Sequence, residues 1–175
     1  MYKRQDDRNG DGKVVVELVQ YNLDFDSESE NTDAYTQMAD VTRLSADLSS
    51  EDGPYIFIMQ DTDYAQQFAE TTGDLQYLDG TMPDTENVDE NDNVIVDWTK
   101  MVYRWTDCPV LAGLDLGEYR ADTTHAQGGD SQQYLSDFYI GMRGAWNTAT
   151  AENLAGGEEL WQALTAGAVS TLREG

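Results

Sequence analysis

Apolar positions along the chain change their spacing several times, and each change marks an element. From Lys13 to Phe25 the pattern has a period of two. Val14, Val16 and Leu18 share one face, and Val15, Glu17, Val19, Tyr21, Leu23 and Phe25 share the other. Two partly apolar faces predict a strand covered on both sides. An acidic loop with Asp26, Glu28 and Glu30 follows. Asn31 or Thr32 can then cap a helix from about Asp33 to Ser49, with Ala34, Met38, Val41, Leu44 and Leu48 at helical spacing. The stretch Leu44–Leu48 also alternates, so a strand remains open there.

Gly53-Pro54 breaks the pattern, and Tyr55–Gln60 is a nearly continuous apolar run. It predicts a buried central strand. Asp61 or Thr62 is placed to cap a second helix over Tyr64–Glu70, with Phe68 inward and Gly73 as its stop. Leu75–Leu78 is strand-like before an Asp79-Gly80 turn, and residues 81–93 form an acidic surface insertion. Val94–Val96 and Met101–Trp105 read as short strands. After Pro109 and a Gly/Asp/Thr loop, Gln132–Asp137 predicts a helical turn, Phe138–Arg143 a buried strand and Glu158–Gly167 a final helix.

Alternating strands and helices predict an α/β fold: a single layered domain with a mixed, partly parallel sheet flanked by helices. The expected organisation is a tail or linker over 1–12, one domain over 13–168 and a C-terminal tail over 169–175. Tyr55–Gln60 and Phe138–Met142 are expected in the same sheet as Val14–Tyr21. Val41, Leu44, Ile56, Ile58 and Ile140 are expected in the core.

Charge narrows the partners. The 175 residues carry 34 Asp and Glu against 10 Lys and Arg, a net charge of -24. Phosphate backbones and anionic lipid surfaces are repelled at long range by such a chain. No nucleic acid is expected as a partner. No apolar run reaches the roughly 20 residues of a membrane span, so no membrane insertion of this segment is expected. One Cys and one His exclude an intramolecular disulfide and the usual Cys/His zinc sites.

Three groups of residues are candidates for chemistry. Asp7, Asn9 and Asp11, followed by Gly12, have the D-x-N-x-D-G spacing that opens a calcium loop. The twelfth position from Asp7 is Leu18 where such a loop needs a carboxylate, so an Asx-rich turn is the favoured reading, with Ca2+ as the alternative. Cys108 and His125 are the one available thiol–imidazole pair. Asp107 beside the thiol and Pro109 after it both disfavour a nucleophile, so the residues lean against an enzyme while leaving the question open. The third group follows from the rule that ligands bind beyond the carboxyl ends of strands in open α/β sheets. That rule selects Tyr21, Asn22 and Asp24 after the first strand, Asp61 and Asp63 after the second, and Arg143 and Trp146 after the late one. Carboxylates with one guanidinium favour a polar neutral or cationic molecule over an anion.

The motifs DCPVLAGLDLG, YIGMRGAWN and ELWQALTAG together resemble a family of small, uncharacterised exported lipoproteins of anaerobic gut bacteria, over Lys13–Gly167. The runs YIFIMQDTDYAQQFAETTGDLQYLDG and DFYIGMRGAWN, followed by GGEELWQALTAG, also resemble part of one lobe of bacterial extracellular solute-binding proteins. The chain is too short for the two lobes that close on a ligand. These resemblances imply an extracellular or cell-surface, lipid-anchored, non-enzymatic module, with a small polar molecule or a protein as partner. A calcium-stabilised adhesion or scaffold module and a small Cys/His hydrolase are the alternatives. Met1-Tyr2-Lys3-Arg4-Gln5 looks like a translated sequencing adapter, which would leave a signal peptide outside this fragment. A cytoplasmic protein is the alternative location.

Overall fold

The computed structural model describes residues 19–21, 23, 34–50, 53–92, 94–120, 128–145 and 151–172. Helix α1 spans Ala34–Leu48, strand β1 Ile56–Met59 and helix α2 Thr62–Thr72. Strand β2 covers Val102–Arg104, helix α3 Pro109–Ala112, and the short strands β3 and β4 Glu118–Tyr119 and Gly129–Asp130. Helix α4 is Ser131–Leu135, strand β5 Tyr139–Met142 and helix α5 Ala151–Leu164. Single 3-10 turns flank β2 at Trp98–Lys100 and Trp105–Asp107.

Local chemistry explains why α2 begins and ends where it does. Asp61 has extended backbone and its Oδ1 accepts the Tyr64 N–H at 2.8 Å, satisfying one of the open donors of the first turn. Gly73 closes the helix in the left-handed conformation, φ 64°, and its N–H returns to the Ala69 carbonyl. Both residues were legible as cap and stop in the sequence. Helix α5 begins at Ala151, well before the expected Glu158, because Gly156 and Gly157 are absorbed into the helix. At Gly157 an added Cβ would sit 2.6 Å from the Tyr55 Cβ, so the missing side chain lets α5 approach closely.

The main sheet has three strands in the order β1-β5-β2. Tyr55–Gln60 and Phe138–Met142 do share a sheet, with Ile56 opposite Met142 and Met59 opposite Tyr139. Both pairs are antiparallel, as is β3 with β4. The fold is therefore mixed α and β, but its described strands form small antiparallel sheets where a partly parallel one was expected. Val14–Tyr21 lies outside the described residues except for its last three positions. Leu75 contributes a single bridge to Arg143, and Val94 one to Val88, so neither expected strand at those places forms a ladder.

Side chains leave the sheet on two faces, each with its own core. Phe57, Met59, Val102 and Tyr139 pack with Leu44 of α1 and with Ala65, Phe68 and Ala69 of α2. On the other face Ile140 and Met142 pack with Trp105, Cys108, Leu111 and Trp161. Leu44 and Ile140 are buried as expected, and Ile56 is half-buried against the second core. Ile58 and Val41 are corrections, 48 % and 51 % exposed. Alternation along β1 turns Phe57 and Met59 into the first core, so Ile58 points the other way, on an edge strand whose outer positions the second core does not reach. Helix α1 buries Leu44 and partly buries Leu48, and Val41 lies on the solvent side of that narrow strip.

Candidate functional site

Antiparallel pairing decides which residues meet. Met59, Tyr139 and Arg104 stand side by side in one row across the end of the sheet. Residues directly opposite one another point to the same face. Beyond this row the chain leaves β1 through Asp61, leaves β2 through Thr106, and enters β5 through Ser136 and Asp137. A polar cleft of about 350 Å3, open to solvent, forms there, lined by Asp61, Thr62, Arg104, Thr106, Ser136, Asp137 and Tyr139. Among its lining residues the Thr62 hydroxyl and the Tyr139 phenol share a hydrogen bond of 2.7 Å. The Ser136 hydroxyl is committed to the Gln133 carbonyl at 2.7 Å.

The 3-10 turn after β2 is tied to its surroundings by side-chain hydrogen bonds. Asp107 is buried and its carboxylate accepts the Thr171 N–H at 3.0 Å and the Thr171 hydroxyl at 2.9 Å. Its Oδ2 also takes the Arg104 N–H at 3.4 Å. Trp105 donates its indole N–H to the Gln132 side chain at 2.8 Å, which ties the turn to α4. Arg104 is thus anchored through its backbone while its side chain is exposed in the cleft.

Of the expected ligand residues, the cleft takes Asp61. Asp63 is exposed in the first turn of α2 and does not line the cleft. Tyr21 lies elsewhere: its phenol donates to Asp47 at 2.5 Å, and the Arg43 guanidinium sits 5.7 Å above its ring. Burial, reinforced by the Asp47 carboxylate, raises the Tyr21 pKa. Asn22, Asp24, Trp146 and His125 lie outside the described residues, as do Asp7, Asn9 and Asp11. Among the described residues no group of three His, Cys, Asp or Glu side chains is placed to hold a metal ion.

Arg143 is the main correction. It follows the end of β5 that pairs with the start of β1, so it lies at the opposite end of the sheet from Asp61. Its side chain is fully buried and donates to the carbonyl of Ser50 at 3.0 Å and to that of Leu48. These are carbonyls at and beyond the end of α1, where helical acceptors lack internal partners. The guanidinium is a C-terminal cap, favourably placed in the helix dipole. Gly53 leaves room for it, since a Cβ there would meet the Asp47 carbonyl oxygen at 1.9 Å and Arg143 Nη1 at 2.9 Å. Asp74 is the nearby carboxylate: burial raises its pKa and the charge of Arg143 pulls it back down.

Cys108 has neither property of a nucleophile. It is fully buried, and burial, with Asp107 adding its negative charge, pushes the thiol up to about 12. A nucleophilic thiol needs access and thiolate character.

Sequence reasoning placed Thr62 only as a possible cap, and it missed Arg104, Thr106, Ser136, Asp137 and Tyr139. Ser136, Asp137 and Tyr139 stand at the amino end of β5, where the carboxyl-end rule does not look, whereas Arg104 and Thr106 stand at the carboxyl end of β2, a signal the sequence did offer. Among the described residues, no helix is long and apolar enough to cross a membrane. No protein-family model, curated protein or solved structure matches this chain.

Proposed function

We propose that this chain is an exported, lipid-anchored, non-enzymatic module that binds a small polar solute in the cleft between Asp61, Arg104 and Asp137. The observation that carries the reading is the state of Arg104. The chain has 34 acidic residues for 10 basic ones. Even so, among the described residues no carboxylate lies within 4.0 Å of the Arg104 guanidinium, although two line its cleft. Among the described residues Arg43 and Lys100 find carboxylates at 3.9 and 2.7 Å while Arg104, Arg120 and Arg143 do not, and of these three Arg104 is the one that lines a cleft with two carboxylates. Hydroxyls of Thr62, Thr106 and Tyr139 supply further donors and acceptors around it. Export and lipid anchoring rest on the resemblance carried by DCPVLAGLDLG, YIGMRGAWN and ELWQALTAG.

The test is a ligand screen on the full chain that reads backbone amide shifts of Thr62, Thr106 and Ser136. Sugars, polyols, amino acids, amines and small carboxylates form the panel. At least one class is expected to move these three amides and to raise the melting temperature, and Arg104→Met is expected to weaken both responses to it without unfolding the protein. If no class moves the cleft amides, the binding reading is wrong. The genomic DNA upstream of codon 6 tests export: a signal sequence ending in a lipid-modified cysteine is expected, and an in-frame start without one overturns it.

A further inference from the structure

The cleft does not neutralise itself, and that restricts what it can hold. On the reading that it binds a small polar solute, we infer that the ligand carries a carboxylate and an ammonium group together, as an amino acid does. Arg104 on β2 and Met59 on β1 flank Tyr139 of β5 in one row, and Asp61 lies two residues beyond Met59. Two strand spacings separate the backbones of Arg104 and β1, about 10 Å. Asp137 lies in the turn two residues before Tyr139. Arg104 and Asp61 therefore enter one cleft from strands two places apart, Asp137 enters it from the turn before the central strand, and the Thr62–Tyr139 hydrogen bond joins two of its lining residues.

Their remaining valences fit such a ligand. Arg104 has a fork of donors that matches a carboxylate. Asp61 commits Oδ1 to the α2 cap and keeps Oδ2 for a ligand donor. No hydrogen bond engages the Asp137 carboxylate among the described residues, and it also accepts. A carboxylate alone would meet Arg104 and be repelled by two acids. An amine alone would leave the guanidinium unmatched. A neutral polyol would leave all three charges unpaired once water is displaced. The two acids against one base leave the cleft with an excess negative charge, and the chain's net -24 adds to it. Amino acids with a second ammonium are therefore favoured over acidic ones.

L-lysine, its methyl ester, L-glutamate and D-sorbitol, titrated into the full chain by calorimetry and amide NMR, test this. L-lysine is expected to move the amides of Thr62, Thr106 and Ser136. It is expected to bind at least about tenfold more tightly than the methyl ester, which lacks the carboxylate charge, and than L-glutamate. Arg104→Met should remove that preference, weakening lysine about tenfold while leaving the ester unchanged, with an unaltered circular dichroism spectrum. If lysine and its ester bind equally, or Arg104→Met weakens both alike, the carboxylate does not sit on Arg104 and the inference fails. If D-sorbitol moves the cleft amides and lysine does not, the ligand class is wrong while the solute-binding reading stands. If none of the probes or the wider panel moves them, the reading itself falls and takes the inference with it.

Discussion

Arg143 and Arg104 lie at opposite ends of the same antiparallel sheet, and their surroundings give them opposite work. Arg143 is fully buried, and its guanidinium ties the end of α1 to β5 through the carbonyls of Leu48 and Ser50. Its backbone N–H meets the Tyr55 carbonyl at 2.8 Å, so main chain and side chain fix the same junction. Arg104 has its backbone pinned by Asp107 and its side chain in solvent beside two carboxylates. A guanidinium buried on backbone oxygens is closed off from a ligand, even though its Nε has no hydrogen-bond partner among the described residues. One held by its backbone alone keeps all of its donors. Charge and residue type are identical at the two ends, so burial and pairing make the difference.

The comparison is broken most directly by substitution. Arg143→Met takes the guanidinium donor from the Leu48 and Ser50 carbonyls, leaving the second only the Gly53 N–H at 3.4 Å, and opens a poorly filled space. A loss of about 3–5 kcal/mol is expected, which for a marginally stable chain means partial unfolding at room temperature. Arg104→Met should change stability by no more than about 0.5 kcal/mol. Urea unfolding of the two variants checks both. Equal effects would erase the distinction between scaffold and site, and a silent Arg143→Met would show that the cap carries no stability.

Gly53→Ala probes the same junction without removing charge. Its Cβ would meet a backbone oxygen at 1.9 Å, so the turn after α1 must shift and carry Arg143 with it. A cost of roughly 2–3 kcal/mol is expected, with the cleft amides unchanged in the surviving folded state. If those amides move as well, the two ends are mechanically coupled and the cleft is not independent of the cap.

A pH effect tests the foundation under the Arg104 end. Cys108 sits behind the 3-10 turn that carries Asp107, with its folded pKa pushed to about 12 by burial. The unfolded thiol titrates near 8.5. A folded value above the unfolded one contributes stability that is complete below about pH 8.5 and is lost as pH rises towards 12. The slope is about 1.4 kcal/mol per pH unit, so the protein should be about 2–3 kcal/mol less stable at pH 10.5 than at pH 8, with Cys108→Ala reducing that loss. Thiol reagents should leave native Cys108 unmodified at pH 8. Fast modification of the folded protein would mean that this end opens readily, and a cleft built on it would not hold a fixed geometry.

Sequence patterns located the elements of this protein far better than they located its site. Asp61 and Gly73 were legible as the boundaries of α2 because capping is decided by the residue itself and its nearest turn. The apolar runs at 56–59 and 139–142 were legible as strands of one sheet, but only the second is covered on both faces, since β1 lies at the edge and exposes Ile58. Asp61 entered the candidate site by virtue of its position after a buried strand. Asp137 carried no signal beyond being a charged residue beside a strand, whereas Arg104 and Arg143 both stood at the carboxyl end of one, and Arg143 proved structural.

What the chain determined by itself is therefore local: where helices start and stop, which stretches are buried, and how strongly acidic the surface is. Tertiary structure decided direction and neighbourhood. An alternating or continuous apolar strand reads the same forwards and backwards, so its pattern cannot say whether its partner runs parallel or antiparallel. In a parallel pair the ends of β1 and β5 would have brought Asp61 to Arg143. The antiparallel register instead set Met59 against Tyr139 and Tyr139 against Arg104, and so exchanged one guanidinium for another at the mouth of the cleft.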